Sequence, residues 1–134
     1  MSFLKWDKSL SVQVKEIDDQ HKKLVGIINR AFEESKGGKD CKKCNEILAD
    51  LIGFSRTHFS TEEKYFKQFN FEGTEEHMKE HADIMLKILN FKKRLDKGED
   101  IAAEALNFLK EWLEDHLATM DQKYVKCFKE HGLE

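Results

Sequence analysis

The sequence predicts an all-α protein, an up-down-up-down antiparallel four-helix bundle with an extended N-terminal arm. Three observations indicate this fold. None of the 134 residues is proline, so long helices are not interrupted by it. Apolar residues recur every three or four positions along four stretches of roughly 18–26 residues. Short connections containing Gly, Asn or Asp join these stretches, which favours antiparallel neighbours.

The composition is typical of a soluble helical protein, with 40% apolar and 37% charged residues. We expect one domain over residues 1–134, with an arm at 1–15 and the bundle at 16–134. A net charge of −3 and the lack of a basic block argue against a nucleic-acid partner. No apolar run approaches the roughly 20 residues that span a membrane, and the N-terminus lacks a signal-peptide core. Three cysteines, an odd number, fit a reducing compartment better than a disulfide scaffold, so we expect a cytoplasmic protein. We also expect a monomer.

The arm is predicted from alternating apolar residues, which indicate an extended backbone. These residues are Leu10, Val12 and Val14. The first helix is expected to begin near Asp18, a suitable N-cap, and to stop at Gly37-Gly38.

Turn residues divide the rest of the chain into three more helices. The second helix follows Asp40 and breaks at residues 70–73. The third is capped by Thr74 and ends at Gly98, and the fourth starts at about Asp100.

Five of the six histidines occupy inward positions, and each predicted helix carries at least one. They are His21, His58, His77, His81 and His116. Buried imidazoles need hydrogen-bond partners, and Glu62, one turn after His58, adds a carboxylate that is costly to bury unpaired. Helix directions bring all these side chains to one end of the bundle, with the other end apolar. The pattern therefore predicts a metal site between the helices.

Asp121 is a seventh candidate. It follows His116 by five residues, or about 140° around a helix, so it shares that face only if the helix is broken or overlong there. A π-bulge would achieve this. A solvated aspartate is an equal alternative.

Four motifs make the sequence resemble a hemerythrin, and more closely a bacterial single-domain hemerythrin. They are IDDQHKKL around His21, HFSTEE from His58, HMKEH from His77, and FLKEWLEDHLATMDQKY around His116. The similarity covers nearly the whole chain. The family often has glycine where this chain has Gln13, and Tyr-Pro where it has Phe71-Glu72.

The resemblance implies two non-haem iron ions bridged by an oxo or hydroxo group and by carboxylates. The implied ligands are His77, His81 and His116 on one iron, His21 and His58 on the other, and Glu62 and Asp121 as bridges. If both irons are octahedral, these ligands and the bridging oxygen fill every coordination position except one, which is on the iron with two histidines. O2 is the expected ligand there, with NO or small anions such as azide as others.

The expected function is reversible O2 binding for transport, storage or scavenging. Ferritin-like sites use more carboxylates, and a histidine-rich site should stabilise highly oxidised iron less. We therefore expect no enzyme activity beyond a peroxidase-like or NO-reducing side reaction. The alternatives are a peroxidase, ferroxidase or nitric oxide reductase, and an O2 or redox sensor. Zinc in a hydrolase is compatible with the ligand types alone.

Four apolar residues are expected to surround the open iron position, with core packing as their main role. They are Leu24, Phe59, Trp112 and Leu113. Family position makes Leu113 a candidate gate of the ligand pocket. Tyr124 is expected to pack, with a contact to a metal ligand as the alternative.

The Cys41-Lys-Lys-Cys44 motif has two interpretations. Nearby lysines and a helix N-terminus would favour a redox-active thiolate. Alternatively, Cys44 lies on the apolar stripe and fills space as a small apolar residue.

Overall fold

Four long helices dominate the computed structural model, which describes residues 3–35 and 43–134. The helices are α1 Lys15–Ser35, α2 Cys44–Gln68, α3 Thr74–Asp96, α4 Ala102–Ala118 and the short α5 Val125–Glu130, with 3₁₀ helices at Lys8–Leu10 and Asp121–Tyr124. Within the described ranges there is no β-strand. No helix there combines the length and apolar character needed to cross a bilayer.

Each long helix packs on its two neighbours around the bundle. The packing is most extensive between α1 and α2 and between α2 and α3, less between α1 and α4, and among these neighbouring pairs least between α3 and α4. This arrangement confirms the predicted all-α four-helix bundle. The wider separation of α3 and α4 leaves a surface groove between them that includes Leu86 and Trp112.

The start of α1 differs from the prediction because Asp18 has another role. The helix begins at Lys15, and the Asp18 carboxylate accepts hydrogen bonds from the Val12 amide at 2.8 Å and the Ser11 hydroxyl at 2.6 Å. Asp18 therefore holds the preceding segment on the helix instead of capping it. The expected stop at Gly37-Gly38 lies outside the described residues.

The N-terminal segment is not a simple extended arm, so that expectation is not confirmed. It contains the 3₁₀ helix Lys8–Leu10, whose N-cap Asp7 accepts from the Ser9 amide at 2.8 Å. Asn29 of α1 binds both backbone groups of Leu4, at 2.7 and 2.8 Å. Paired amide bonds of this kind align the segment along α1.

Two separate apolar clusters fill the bundle. The larger one takes side chains from all four long helices, including Ile28, Leu51 and Ile88. The smaller one consists of Val12, Val14, Ile17, Phe66, Tyr124 and Phe128. The sequence predicted only the larger cluster. The predicted metal-ligating side chains contact both clusters, since Tyr124 of the smaller one bonds to Glu62 and Phe59 of the larger one stacks on His81.

Candidate metal centre

All seven side chains predicted as metal ligands are buried and lie close together. Their exposed fractions are at most 2%. They are His21 from α1, His58 and Glu62 from α2, His77 and His81 from α3, His116 from α4, and Asp121 from the 3₁₀ helix that follows. The four-residue spacing in α2 and α3 places each pair on one helix face.

Asp121 reaches the cluster because the fourth helix breaks. Helix α4 ends at Ala118, and Thr119 leaves regular helical geometry with φ −119° and ψ −68°. The 3₁₀ helix Asp121–Tyr124 then follows. The break turns the Asp121 carboxylate back toward His116, and no π-bulge is needed.

The Asp121 carboxylate spans histidines from three helices. Its Oδ1 lies 2.9 Å from Nε2 of both His77 and His116, and its Oδ2 lies 3.1 Å from Nε2 of His21. One carboxylate oxygen thus faces two histidines of the predicted three-histidine set, and the other faces the two-histidine set. This is the arrangement that a bridging carboxylate requires.

Glu62 also contacts both sets. Its Oε1 lies 3.1 Å from Nε2 of His81 and 3.4 Å from Nε2 of His58, and its Oε2 lies 3.7 Å from Nε2 of His21. The potential ligands form two groups that share Glu62, and within each group the ligand atoms all lie within 4.8 Å of one another. The groups are Glu62, His77, His81 and His116, and His21, His58, Glu62 and Asp121.

Several buried polar atoms of this cluster have no hydrogen-bond partner. They include Nε2 of His21, His77, His81 and His116, Oε1 of Glu62, and both carboxylate oxygens of Asp121. Orphaned polar atoms in an apolar interior cost free energy, which a bound metal ion would offset. Imidazole nitrogens with carboxylate oxygens form a donor set that suits first-row transition metals, so the residues fit iron.

Three polar side chains orient the histidines from outside. Nδ1 of His58 donates to Gln20 at 2.7 Å. Nδ1 of His81 and of His116 donate to the carboxylates of Glu63 and Glu80, at 2.9 and 2.6 Å. Such bonds hold the ring and leave Nε2 free to bind metal.

These partners were not predicted, although the sequence carries a signal for them. Gln20 precedes His21, Glu63 follows Glu62, and Glu80 precedes His81. Each is next in the chain to a candidate ligand and bonds to a ligand on the neighbouring helix. A polar residue beside an inward ligand is the pattern to look for.

Tyr124 both packs and contacts the cluster. Its ring lies in the smaller apolar cluster, and its hydroxyl donates to Oε2 of Glu62 at 2.5 Å. Burial and the nearby carboxylates of Asp121 and Glu62 hold the pKa of Tyr124 well above its ordinary value. The tyrosine therefore stays a neutral donor.

The histidines differ in basicity. Burial alone would lower the pKa of His21 and His116, but the carboxylates of Asp121 and Glu62 outweigh it and raise both to about 9. At His58, burial prevails and lowers the pKa to about 4.

The two carboxylates show the complementary shift. Burial would raise the pKa of Glu62 and Asp121, yet the surrounding histidines hold both below their ordinary values. Both therefore remain ionised, as metal-bridging groups must.

An apolar pocket adjoins the cluster. It has a volume of about 20 Å³, and its walls include His21, His58 and the four side chains expected around the open iron position. The four are Leu24, Phe59, Trp112 and Leu113. Two of them also stack on histidines: Phe59 on His81 with ring centroids 3.9 Å apart, and Trp112 on His116 at 4.4 Å. The structure thus brings the predicted pocket residues together.

The cysteine motif is separate from this cluster. Cys44 is buried at the start of α2 in the apolar region, as its stripe position predicted. Cys44 is disulfide-bonded and so is not a free thiol in this structure, whereas Cys41 lies outside the described residues. A redox role of the motif stays a prediction.

Comparison with known proteins agrees with this geometry. The family model described as "Hemerythrin HHE cation binding domain" matches residues 12–128. The chain is 28% identical over 129 residues to bacteriohemerythrin of Pseudomonas aeruginosa (strain UCBPP-PA14), covering 96% of this chain and 84% of that one. It is 32% identical over 120 residues to myohemerythrin-1 of Phascolopsis gouldii, covering 89% of each. A crystal structure of wild-type hemerythrin has the same fold, with a TM-score of 0.87, 21% identity, and coverage of 94% of this chain and 98% of that one.

Proposed function

Because this chain belongs to the hemerythrin family, we propose that it binds O2 reversibly at a non-haem di-iron centre. One observation carries the proposal. Five buried histidines and two buried carboxylates form two ligand groups that share Glu62, beside an apolar pocket that touches His21 and His58. Two ligand groups this close suit a pair of metal ions better than a single one.

The proposed ligand roles follow the two groups. His77, His81 and His116 hold one iron, His21 and His58 hold the other, and Glu62 and Asp121 bridge them. When bound, the iron pair supplies the electrons that O2 needs and an open coordination position. That position would be on the two-histidine side, and the apolar pocket touches His21 and His58 as well as His116.

The protein's own residues would keep the reaction reversible. The pocket is lined largely by apolar side chains, which exclude water and so disfavour loss of bound O2 as a charged product. Gln20, Glu63 and Glu80 hold three histidine rings in orientation through Nδ1. The hydroxyl of Tyr124 donates its hydrogen bond to Glu62.

The ligand charges favour binding over activation. Five neutral imidazoles and two carboxylates provide less negative charge than a carboxylate-rich site, so iron in high oxidation states is stabilised less. We therefore propose an O2-binding protein and not an enzyme. A di-iron redox enzyme, or a sensor acting through a separate signalling domain or partner, is the alternative outcome of the tests.

Iron analysis tests the centre itself. Purified protein reconstituted with ferrous iron should hold two irons per chain, and Asp121→Asn should hold fewer because the bridge between the two groups is weakened. Asp115→Asn is the matched control, since Asp115 is an exposed aspartate near the end of α4, just before the break that leads to Asp121. One iron per chain in the unaltered protein, or equal iron in both variants, would contradict the proposal.

Other expectations stay predictions. They are a single domain over residues 1–134, a monomeric state, a cytoplasmic location, and binding of NO or azide at the open iron position. Sedimentation of the iron-loaded protein tests the monomer, and azide titration followed by absorption tests the anion site.

A further inference from the structure

A second apolar cavity, which is only partly enclosed, lies between the four long helices and away from the metal ligands. It has a volume of about 30 Å³, and its walls come from all four long helices, toward the starts of α2 and α4. Ala31 and Ala105 are among the lining residues, and their small side chains leave the space open. The lining consists of aliphatic side chains and Cys44.

The chemistry of this cavity favours an apolar occupant over water. A cavity of this kind needs only about 10–15 Å³ to admit one water molecule, but the water also needs two to four polar partners. The lining side chains are apolar, so they offer a water molecule little compensation for lost hydrogen bonds. Dry apolar cavities in proteins instead take up small apolar molecules such as xenon.

The cavity is next to the pocket at the metal cluster. Three side chains, Ile28, Leu51 and Leu109, line both spaces. The two spaces are therefore neighbours, separated by a layer of aliphatic side chains that includes these three. The pocket beyond reaches His21 and His58.

We propose that this second cavity is a binding site for an apolar diatomic gas, and that O2 passes through it to and from the metal pocket across the layer of Ile28, Leu51 and Leu109. The identity of the gas rests on the proposed function, whereas the binding site does not. O2 is apolar and small, so a water-excluding cavity concentrates it relative to water. An apolar route also brings O2 to the open iron position without bringing water with it.

Xenon binding tests the site independently of iron and O2. Crystals of the unaltered protein under xenon pressure should show a xenon atom in the cavity. Ala105→Leu should remove it, because the larger side chain fills the space. Ala103→Leu, with an exposed alanine on the same helix, is the control that should retain it. No xenon in the unaltered protein, or the same occupancy in Ala105→Leu, would overturn the proposal.

O2 kinetics test the route. By flash or stopped-flow methods, Ala105→Leu should slow O2 association and dissociation several-fold with an unchanged equilibrium constant, because a route changes rates and not end states. Leu109→Ala should accelerate both by opening the separating layer, and it keeps the test decisive if Ala105→Leu does not fold. Unchanged rates in a folded variant would overturn the route even if xenon binds. If the protein binds no O2 at all, the function fails while the xenon result still decides the gas site.

Discussion

The hydroxyl of Tyr124 donates a 2.5 Å hydrogen bond to Oε2 of Glu62, and both side chains are fully buried. Tyr124 belongs to the same 3₁₀ helix as Asp121, and Glu62 belongs to α2. The bond therefore links the elements that supply the two proposed bridging carboxylates. This contact therefore helps to fix the separation of the two carboxylates even without metal.

Removing this hydroxyl should destabilise the iron-loaded protein. Tyr124→Phe should lower the free energy of unfolding by about 1.5–3 kcal/mol, the range for a buried hydrogen bond to a charged group. Tyr65→Phe is the control, because the Tyr65 hydroxyl donates to Glu16 at the surface and should contribute less. Denaturant unfolding measures both, and equal losses in the two variants would contradict the role of the Tyr124 bond.

The carboxylate that orients His116 should strengthen metal binding. Glu80→Ala removes the acceptor at 2.6 Å from Nδ1 and should weaken iron affinity about 10–100-fold. Glu76→Ala, which removes an exposed carboxylate paired with Lys123, should leave the affinity unchanged. Competition with a chelator of known affinity gives both values. An unchanged affinity for Glu80→Ala would show that ring orientation does not depend on Glu80.

Metal loading should release protons. The pKa values of His21 and His116 are raised to about 9 without metal, so both rings are protonated at about pH 7 and must lose a proton to bind metal. These two histidines should release about two protons per chain at about pH 7, and their share of the release should fall toward zero above the raised pKa. Apparent iron affinity should accordingly increase with pH up to about 9. Calorimetry in buffers of different ionisation enthalpy measures the release, and no release at neutral pH would contradict the assignment.

The same shifts predict the pH dependence of the metal-free fold. A histidine whose folded pKa is raised from 6.5 to about 9 contributes stability that is fully present below 6.5 and lost as pH rises through about 9. The metal-free protein should therefore unfold at lower denaturant concentration at high pH, whereas the iron-loaded protein should change less. If the denaturant midpoint of the metal-free protein stayed constant between pH 6.5 and about 9, the charge pairing of His21 and His116 would be contradicted.

Leu113 should protect bound O2. Leu113→Ala enlarges the pocket beside the two-histidine group and admits water, so the oxygenated form should convert to the oxidised form several-fold faster. Leu86→Ala alters an exposed leucine and should have no effect. Decay of the oxygenated spectrum gives both rates. If Leu113→Ala left the rate unchanged, the gate hypothesis would be wrong.

The helical spacing was sufficient to place six of the seven side chains. A period of 3.6 residues converts the His58–Glu62 and His77–His81 spacings into shared faces. Asp121 could not be placed in this way, because its position depends on the break after Ala118 and on the different period of the following 3₁₀ helix. Only the family resemblance assigned it a role, and that role stays a prediction.

Contacts between helices could not be predicted from the residue spacing along one helix. The bonds from His81 to Glu63 and from His116 to Glu80 depend on distances between neighbouring helices. In the sequence Asp18 looks like a helix cap because aspartate is a common N-cap residue. The same side chain can instead bind a backbone amide of the preceding segment, as Asp18 does with Val12. The smaller apolar cluster was missed because most of its residues lie outside the four helical stripes: Val12 and Val14 precede α1, and Tyr124 and Phe128 follow the break after Ala118.

The most direct test of the account is an absorption spectrum of the iron-loaded protein, reduced under argon, then exposed to air, then purged with argon. We expect a visible band that forms with air, disappears on purging and returns on re-exposure, which would establish reversible O2 binding. Direct conversion to a stable oxidised spectrum that purging does not reverse would contradict it, and would favour the redox enzyme or the sensor.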